Sequence, residues 1–264
     1  DKAGACQTLD YWEPIAARGQ KRLILDPDQF YILASKEAVH VPPTHAAEMM
    51  PFNPLVGEFR RAFNAVRIGV RWADVEPEES RYNWAGLDAA IGTAEELGLP
   101  VGVGPVIDLS PGMLPAWAEG WRGDLPTLAT FMCDYLETVL GRYRDRVRRW
   151  VVCGGFNHAD GLGFCDDDRQ RLAARLFEAA AAMDPTLDLA LGIAQPFGDY
   201  LTGADQTISP LAFADDLIRA GHKVGAIELE VRGGTLPRGG FPRDRLDLSR
   251  QLDLFALLDK PIDV

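Results

Sequence analysis

The sequence predicts an α/β chain folded as a TIM (β/α)8-type barrel, incomplete at its C-terminus as given. Three observations carry that expectation. From residue 65 onward, strand-like and helix-like stretches alternate at the spacing of right-handed βαβ units, which implies a parallel sheet. The run Trp150-Val151-Val152-Cys153 is apolar on both faces and stops at Gly154-Gly155, as a buried parallel strand does. No GxGxxG follows an early strand and no GxxxxGK[ST] occurs, so nucleotide-binding versions of the pattern lose ground. A chain of 264 residues lies within the range of one such barrel.

Residues 1–60 form an N-terminal segment whose strand-like stretches, 21–25 and 30–33, make either the first barrel strand or an appended hairpin. Residues 61–264 hold the barrel units. The alternation of Val66, Ile68 and Val70 with Arg67, Gly69 and Arg71 predicts a strand over 65–72. A helix is expected over 84–97, closed by Gly98, and a strand over 101–107. A loop with Pro111, Pro115, Trp117 and Trp121 leads to a long amphipathic helix over 125–143 and the strand at Trp150. Beyond the glycine pair come an alanine-rich helix over 168–183, a strand over 187–193 and a helix over 210–220. The series ends with a strand over 226–231, a helix over 246–258 and the start of a strand at 261–264.

Composition narrows the function. Hydrophobic content of 47% and charged content of 25% are those of an ordinary globular domain. A net charge of -12 and a pI near 4.8 argue against nucleic acid or an anionic membrane as partner, and describe a solvated acidic surface. Cys6, Cys133, Cys153 and Cys165 have no CxxC spacing, so no metal is expected, and nothing in the chain calls for a cofactor. No signal peptide and no apolar run of about 18 residues is visible, so a soluble protein is expected. The start at Asp1 leaves a processed N-terminus open, and neither compartment nor oligomeric state is encoded legibly.

In a parallel barrel one strand face packs on helices and the other points into the lumen. With Ile227, Leu229 and Val231 against helices, Glu228, Glu230 and Arg232 face inward; on the first strand Arg67 and Arg71 do the same. Unpaired buried charges are costly, so these acids and arginines are expected to pair across the lumen. Such a network either fills the barrel or forms the polar floor of a ligand site. Neighbouring arginines are expected to hold both glutamates ionised, which suits a nucleophile or hydrogen-bond acceptor and not a general acid.

Val70-Arg71-Trp72-Ala73-Asp74-Val75-Glu76-Pro77, followed by Tyr82-Asn83-Trp84 and Leu87-Asp88, resembles the second-strand signature of glycoside hydrolase family 10. Leu114-Pro115-Ala116-Trp117 is similar to that family's Leu-Pro-x-Trp, and Gly141-Arg142-Tyr143 within 139–150 to its run before the fourth strand. The matches extend over roughly 62–264 and imply a TIM barrel of the endo-β-1,4-xylanase kind, with a carbohydrate ligand. By the same resemblance Arg67, Arg71, Trp72, Trp117, Glu230 and Arg232 are candidates for ligand binding.

The departures fall where the chemistry belongs. The family continues from the Trp150 position as Asp-Val-Val-Asn-Glu, the Glu being the acid/base; here Gly154 takes the Asn place and Gly155 the Glu place. The nucleophile's Thr-Glu motif begins about where the sequence given ends, and the chain is expected to be a fragment of a longer one or to be closed by another segment. A retaining pair needs two carboxyl groups about 5 Å apart. Asp108, His158, Asp160, Glu228 and Glu230 are the candidates for a relocated acid. Three readings stand: a carbohydrate-binding barrel that does not hydrolyse, an active glycosidase with a rearranged pair, and an interaction scaffold whose lumen is closed by Arg-Glu pairs.

Overall fold

The computed structural model describes residues 65–158, 162–202, 207–231 and 243–264. The chain separates into two compact units, Asp1–Met50 and Pro51–Val264, and the described residues belong to the second. The expected strands within 1–60 lie outside them.

The elements in order are β1 (Val66–Ile68), α1 (Trp72–Val75), α2 (Ala85–Glu96), β2 (Val101–Val103), β3 (Ile107–Asp108), α3 (Ala116–Glu119) and α4 (Leu125–Tyr143). They continue with β4 (Arg149–Gly154), α5 (Asp166–Met183), β5 (Asp188–Ala194), a 3-10 turn (Asp199–Thr202), α6 (Pro210–Arg219), β6 (Ala226–Glu230), α7 (Arg245–Ala256) and β7 (Ile262–Asp263). All strand pairs are parallel, in the order β1-β2-β4-β5-β6-β7, with β3 beside the second half of β4. The sheet is curled. Arg67 on β1 reaches Glu228 on β6 at 2.9 Å, although the two strands are four pairings apart along the sheet, about 19 Å if it were flat. This is a TIM-type barrel in incomplete form.

Two layers of side chains divide at the sheet. Outward, Trp150, Val152, Cys153, Leu189, Leu191, Ile193, Ile227 and Leu229 join one large apolar core with Leu128, Met132, Leu136 and Leu140 of α4 and Leu172, Leu176 and Phe177 of α5. Inward, Val151, Ala190 and Ala226 form a separate small cluster. A bulge supplies the switch on β4: Val151 pairs with Ala190 but Cys153 pairs with Leu191, so Val152 is an extra residue and two successive side chains enter the outer core. The four-residue pattern Trp-Val-Val-Cys is therefore buried throughout without strict alternation.

The helices obey local rules. Asp124 caps α4 by accepting from the Thr127 backbone N–H at 3.2 Å, and Pro126 sits in the first turn, where a missing N–H costs nothing. Gly98 follows α2 with a φ of 62°, and Asp244 and Asp247 close a capping box on α7.

Two expected strands differ. The strand expected over 65–72 stops at Ile68, and Trp72 opens a single helical turn instead. That turn places Trp72 four residues from Glu76, so the buried indole N–H donates to the Glu76 carboxylate at 2.7 Å while the ring stacks on Tyr135 at 4.7 Å. The strand expected over 101–107 is split into β2 and β3. Gly104 has a φ of 136° and lies so close to Val151 that any Cβ would collide with it, and Pro105 offers no N–H to a ladder.

Candidate functional site

Two polar regions occupy the inner face of the sheet. The first is at the C-terminal strand ends, around the glycine pair. Gly154 ends β4, and a Cβ there would run into the Pro105 ring. Gly155 has a φ of 71°, a left-handed conformation that suits glycine. An added Cβ at Gly155 would stand 2.9 Å from Asp108 Oδ1 and 2.9 Å from Ser110 Oγ. Asp108 is itself fixed, since its carboxylate accepts the Ser110 backbone N–H at 2.8 Å. The position that the sequence aligns with the family's acid/base is thus bare backbone, and the space beside it is taken by the Asp108–Ser110 turn.

A buried amide holds the loop after β4. Asn157 donates to the Ala194 carbonyl at 2.7 Å and accepts the Ala194 N–H at 3.1 Å, tying the loop to the end of β5. Its amide also reaches the Tyr200 hydroxyl at 3.4 Å, which donates to the Ile208 carbonyl at 3.0 Å. Burial pushes the Tyr200 phenol up to about 12. Arg169, buried at the start of α5, donates to the Phe156 carbonyl at 2.8 Å and the Phe164 carbonyl at 2.6 Å and pairs with Asp166. His158 lies 5.7 Å from the Tyr200 ring, and burial holds its imidazole below the ordinary value against the opposing charge of Asp108. Sequence reasoning missed Asn157, Arg169 and Tyr200; Asn157 and Tyr200 act through contacts across 37 and 43 residues that no local spacing announces, and Arg169 through carbonyls 13 and 5 residues before it.

The second region is the lumen. A cavity of about 740 Å³ is lined by Arg67, Arg148, Arg149, Asp188, Glu228, Glu230 and Asp263 among other residues. Arg67 pairs with Glu228 at 2.9 Å and donates to the Gly104 carbonyl at 2.5 Å. Arg149 is shared by Asp188 at 2.8 Å and Asp263 at 2.5 Å. On β1, β2, β4 and β5 the cavity touches the beginnings of the strands; only on β6 and β7 does it run to their ends, at Glu230 and Asp263. It does not reach Gly155.

At Glu228 the neighbouring arginine does not dominate the carboxyl's environment. Burial pushes its carboxyl up to about 6, outweighing Arg67, and Asp263 and Glu230 add to the rise. Three ligand-binding candidates also move. Arg71 lies past the end of β1, half exposed, bound to Asp74 at 2.8 Å and the Gly112 carbonyl at 2.7 Å, and does not line the lumen. Trp72 is 1% exposed and presents no ring face to a ligand. Trp117 donates its N–H to the Glu76 carbonyl at 3.0 Å and packs edge-on against Trp72 and Phe131. Arg67 and Glu230 line the cavity; Val231, expected against helices, is 41% exposed. Arg232 and Asp160 lie outside the described residues. Among the described residues no group of acids, histidines or cysteines is placed to hold a metal, and no helix is long and apolar enough to cross a membrane.

The chain is similar to xylanases in sequence and in fold. Endo-1,4-beta-xylanase A of Fusarium oxysporum f. sp. lycopersici is 26% identical over 125 residues, covering 46% of this chain and 37% of that protein. The crystal structure of native xylanase 10B from Thermotoga maritima superposes with a TM-score of 0.57 at 19% identity, over 74% of this chain and 60% of that one. Xylanase 10B from Thermotoga petrophila RKU-1, solved in complex with xylobiose, gives 0.55 at 19% identity over 77% and 61%. This is a glycoside-hydrolase-family-10-like protein. The family-10-like chain spans 37% of the length of the Fusarium relative and about three fifths of the solved xylanases. Separately, a family model described as the C-terminal domain of 2'-deoxycytidine 5'-triphosphate deaminase matches residues 1–66, a stretch that lies almost wholly outside the described residues.

Proposed function

We propose that this family-10-like barrel binds a β-1,4-linked carbohydrate of the xylan type without hydrolysing it. The observation that carries the reading is Gly155: left-handed backbone at the acid/base register, with Asp108 and Ser110 in the space a side chain would need. Loss of a positioned general acid removes a contribution of about 10²- to 10⁴-fold. The ligand class rests on the xylanase likeness and on the xylobiose held by the Thermotoga petrophila relative. The lumen cavity of about 740 Å³ has the size of a small-molecule site and offers charged side chains of both signs as hydrogen-bond partners for hydroxyl groups.

One observation favours the rival reading of an active hydrolase. Glu228, with its carboxyl pushed up to about 6, is protonated in mild acid and meets one requirement for a general acid. Xylohexaose titrated into the protein tests both. The proposal expects saturable heat on calorimetry, no new reducing ends, and no release from an aryl β-xyloside, whose leaving group needs no protonation. Turnover that disappears in Glu228→Gln would establish the rival. A complete lack of binding would leave the scaffold reading, with the Arg67–Glu228 pair closing the lumen.

A further inference from the structure

Three non-glycine residues among those described have left-handed backbone: Ser80, Gln195 and Asp259. Two have a local reason. Ser80 lies in the tight turn closed by Glu78 and Arg81, with its N–H on the Glu76 carboxylate at 2.8 Å. Asp259 follows the end of α7, where such conformations are usual. Gln195 has neither excuse: a long side chain stands on a φ of 47°, directly after the last residue of β5. Its conformation is imposed by its neighbours. Asn157 grips both the N–H and the carbonyl of Ala194, the Gln195 carbonyl accepts the Gly198 N–H at 2.9 Å, and Gln251 of α7 holds the Pro196 carbonyl at 2.6 Å. Glycine would take this backbone at no steric cost.

The same residue carries a second cost. Among the described residues, the buried side-chain polar atoms without a hydrogen-bond partner are the Tyr135 hydroxyl, Trp150 Nε1 and Gln195 Oε1. The first two belong to rings packed in the outer apolar core. Gln195 is half-buried at the C-terminal end of the sheet, the side on which barrels of this kind build their sites. It stands between the two polar regions. Asn157 ties its neighbour Ala194 to the loop that carries Gly155, and Ala194 is the register partner of Glu230, which lines the lumen cavity at the end of β6. Left-handed strain and an unpaired amide oxygen both destabilise the fold, and such costs gather where a protein meets a ligand.

We propose that the Gln195 carboxamide is a sugar-binding group, which hydrogen-bonds a hydroxyl of a bound oligosaccharide at the C-terminal strand ends. A carboxamide has an accepting end and a donating end, and a sugar hydroxyl both donates and accepts, so either end of the amide finds a partner. The last side-chain torsion of glutamine is soft, and turning about it brings the unpaired oxygen outward without moving the backbone. The backbone, held by Asn157 and Gln251, is in place before the ligand arrives, which lessens the entropy lost on binding. This role rests on the carbohydrate reading, and its test separates the two.

Xylohexaose is titrated calorimetrically into the wild type, Gln195→Met and Gln195→Gly, and urea midpoints are measured for all three. Gln195→Met keeps an unbranched chain of similar volume and drops the carboxamide; Gln195→Gly drops it and relieves the backbone as well. Both variants are expected to bind about 10-fold more weakly. The urea midpoint is expected to hold in Gln195→Met and to rise in Gln195→Gly. Weaker binding by a more stable protein is a combination that a purely structural glutamine does not give. Wild-type affinity in both variants overturns the role of Gln195 and leaves carbohydrate binding standing. A midpoint that falls in either variant shows the side chain holding the fold, and overturns the role too. A wild type that binds no xylohexaose overturns both the role and the carbohydrate reading.

Discussion

Gly155 and Asp108 make a lock at the scale of single residues. The backbone at Gly155 takes a φ of 71°, and the nearest atoms a Cβ would meet belong to a carboxylate and a hydroxyl already engaged in a turn. Gly155→Ala is expected to lower stability by roughly 1–3 kcal/mol, read from the urea midpoint, through left-handed strain and displacement of Asp108. A cost below about 0.5 kcal/mol would mean that the space is open. The place of Gly155 just past β4 was legible in the sequence, because the apolar run from Trp150 to Cys153 stops at the glycine pair. The upward shift of the Glu228 carboxyl was not. The sequence shows which charges lie nearby, but the sign of the shift depends on how much water each partner keeps, and Arg67 keeps far more than Glu228.

Secondary-structure elements were legible wherever both ends carried chemistry. The helix expected over 125–143 is α4 to the residue, because Asp124 caps one end, Pro126 fits the first turn, and Leu128, Met132, Leu136 and Val139 repeat on one face. Asp124→Ala removes the acceptor for both the Thr127 N–H and its hydroxyl. It is expected to cost about 1 kcal/mol in thermal or urea denaturation. No measurable change would show that packing alone fixes the start of α4. The first strand was overextended for the opposite reason. Gly69-Val70 carries no stop signal, and an alternating pattern at Val66, Ile68, Val70 and Trp72 looks the same whether the chain continues straight or turns. The turn is decided by Tyr135 and Glu76, which receive the Trp72 ring and N–H. For that reason Trp72 and Trp117, both candidates for ligand binding, turned out to pack against each other at 5.6 Å.

At the scale of the whole molecule, the described residues have the fold of family-10 xylanases, with a glycine at the position that the sequence aligns with the acid/base. Outside the sheet, the strands and helices build a continuous apolar core; inside, small residues and paired charges leave an open lumen. Strand order followed from the alternation of elements, since right-handed βαβ units admit few topologies. The division of the lumen into a bare C-terminal rim and a charged cavity did not, because it depends on the curl of the sheet. The most direct test is a crystal structure of the protein with a xylo-oligosaccharide bound. The account predicts an intact sugar, Gly155 in its left-handed conformation against Asp108 and Ser110, and no carboxyl oxygen within about 3.2 Å of a glycosidic oxygen. An acid, whether Asp108, Glu228 or Glu230, within that distance and facing a second carboxyl about 5 Å away would contradict it.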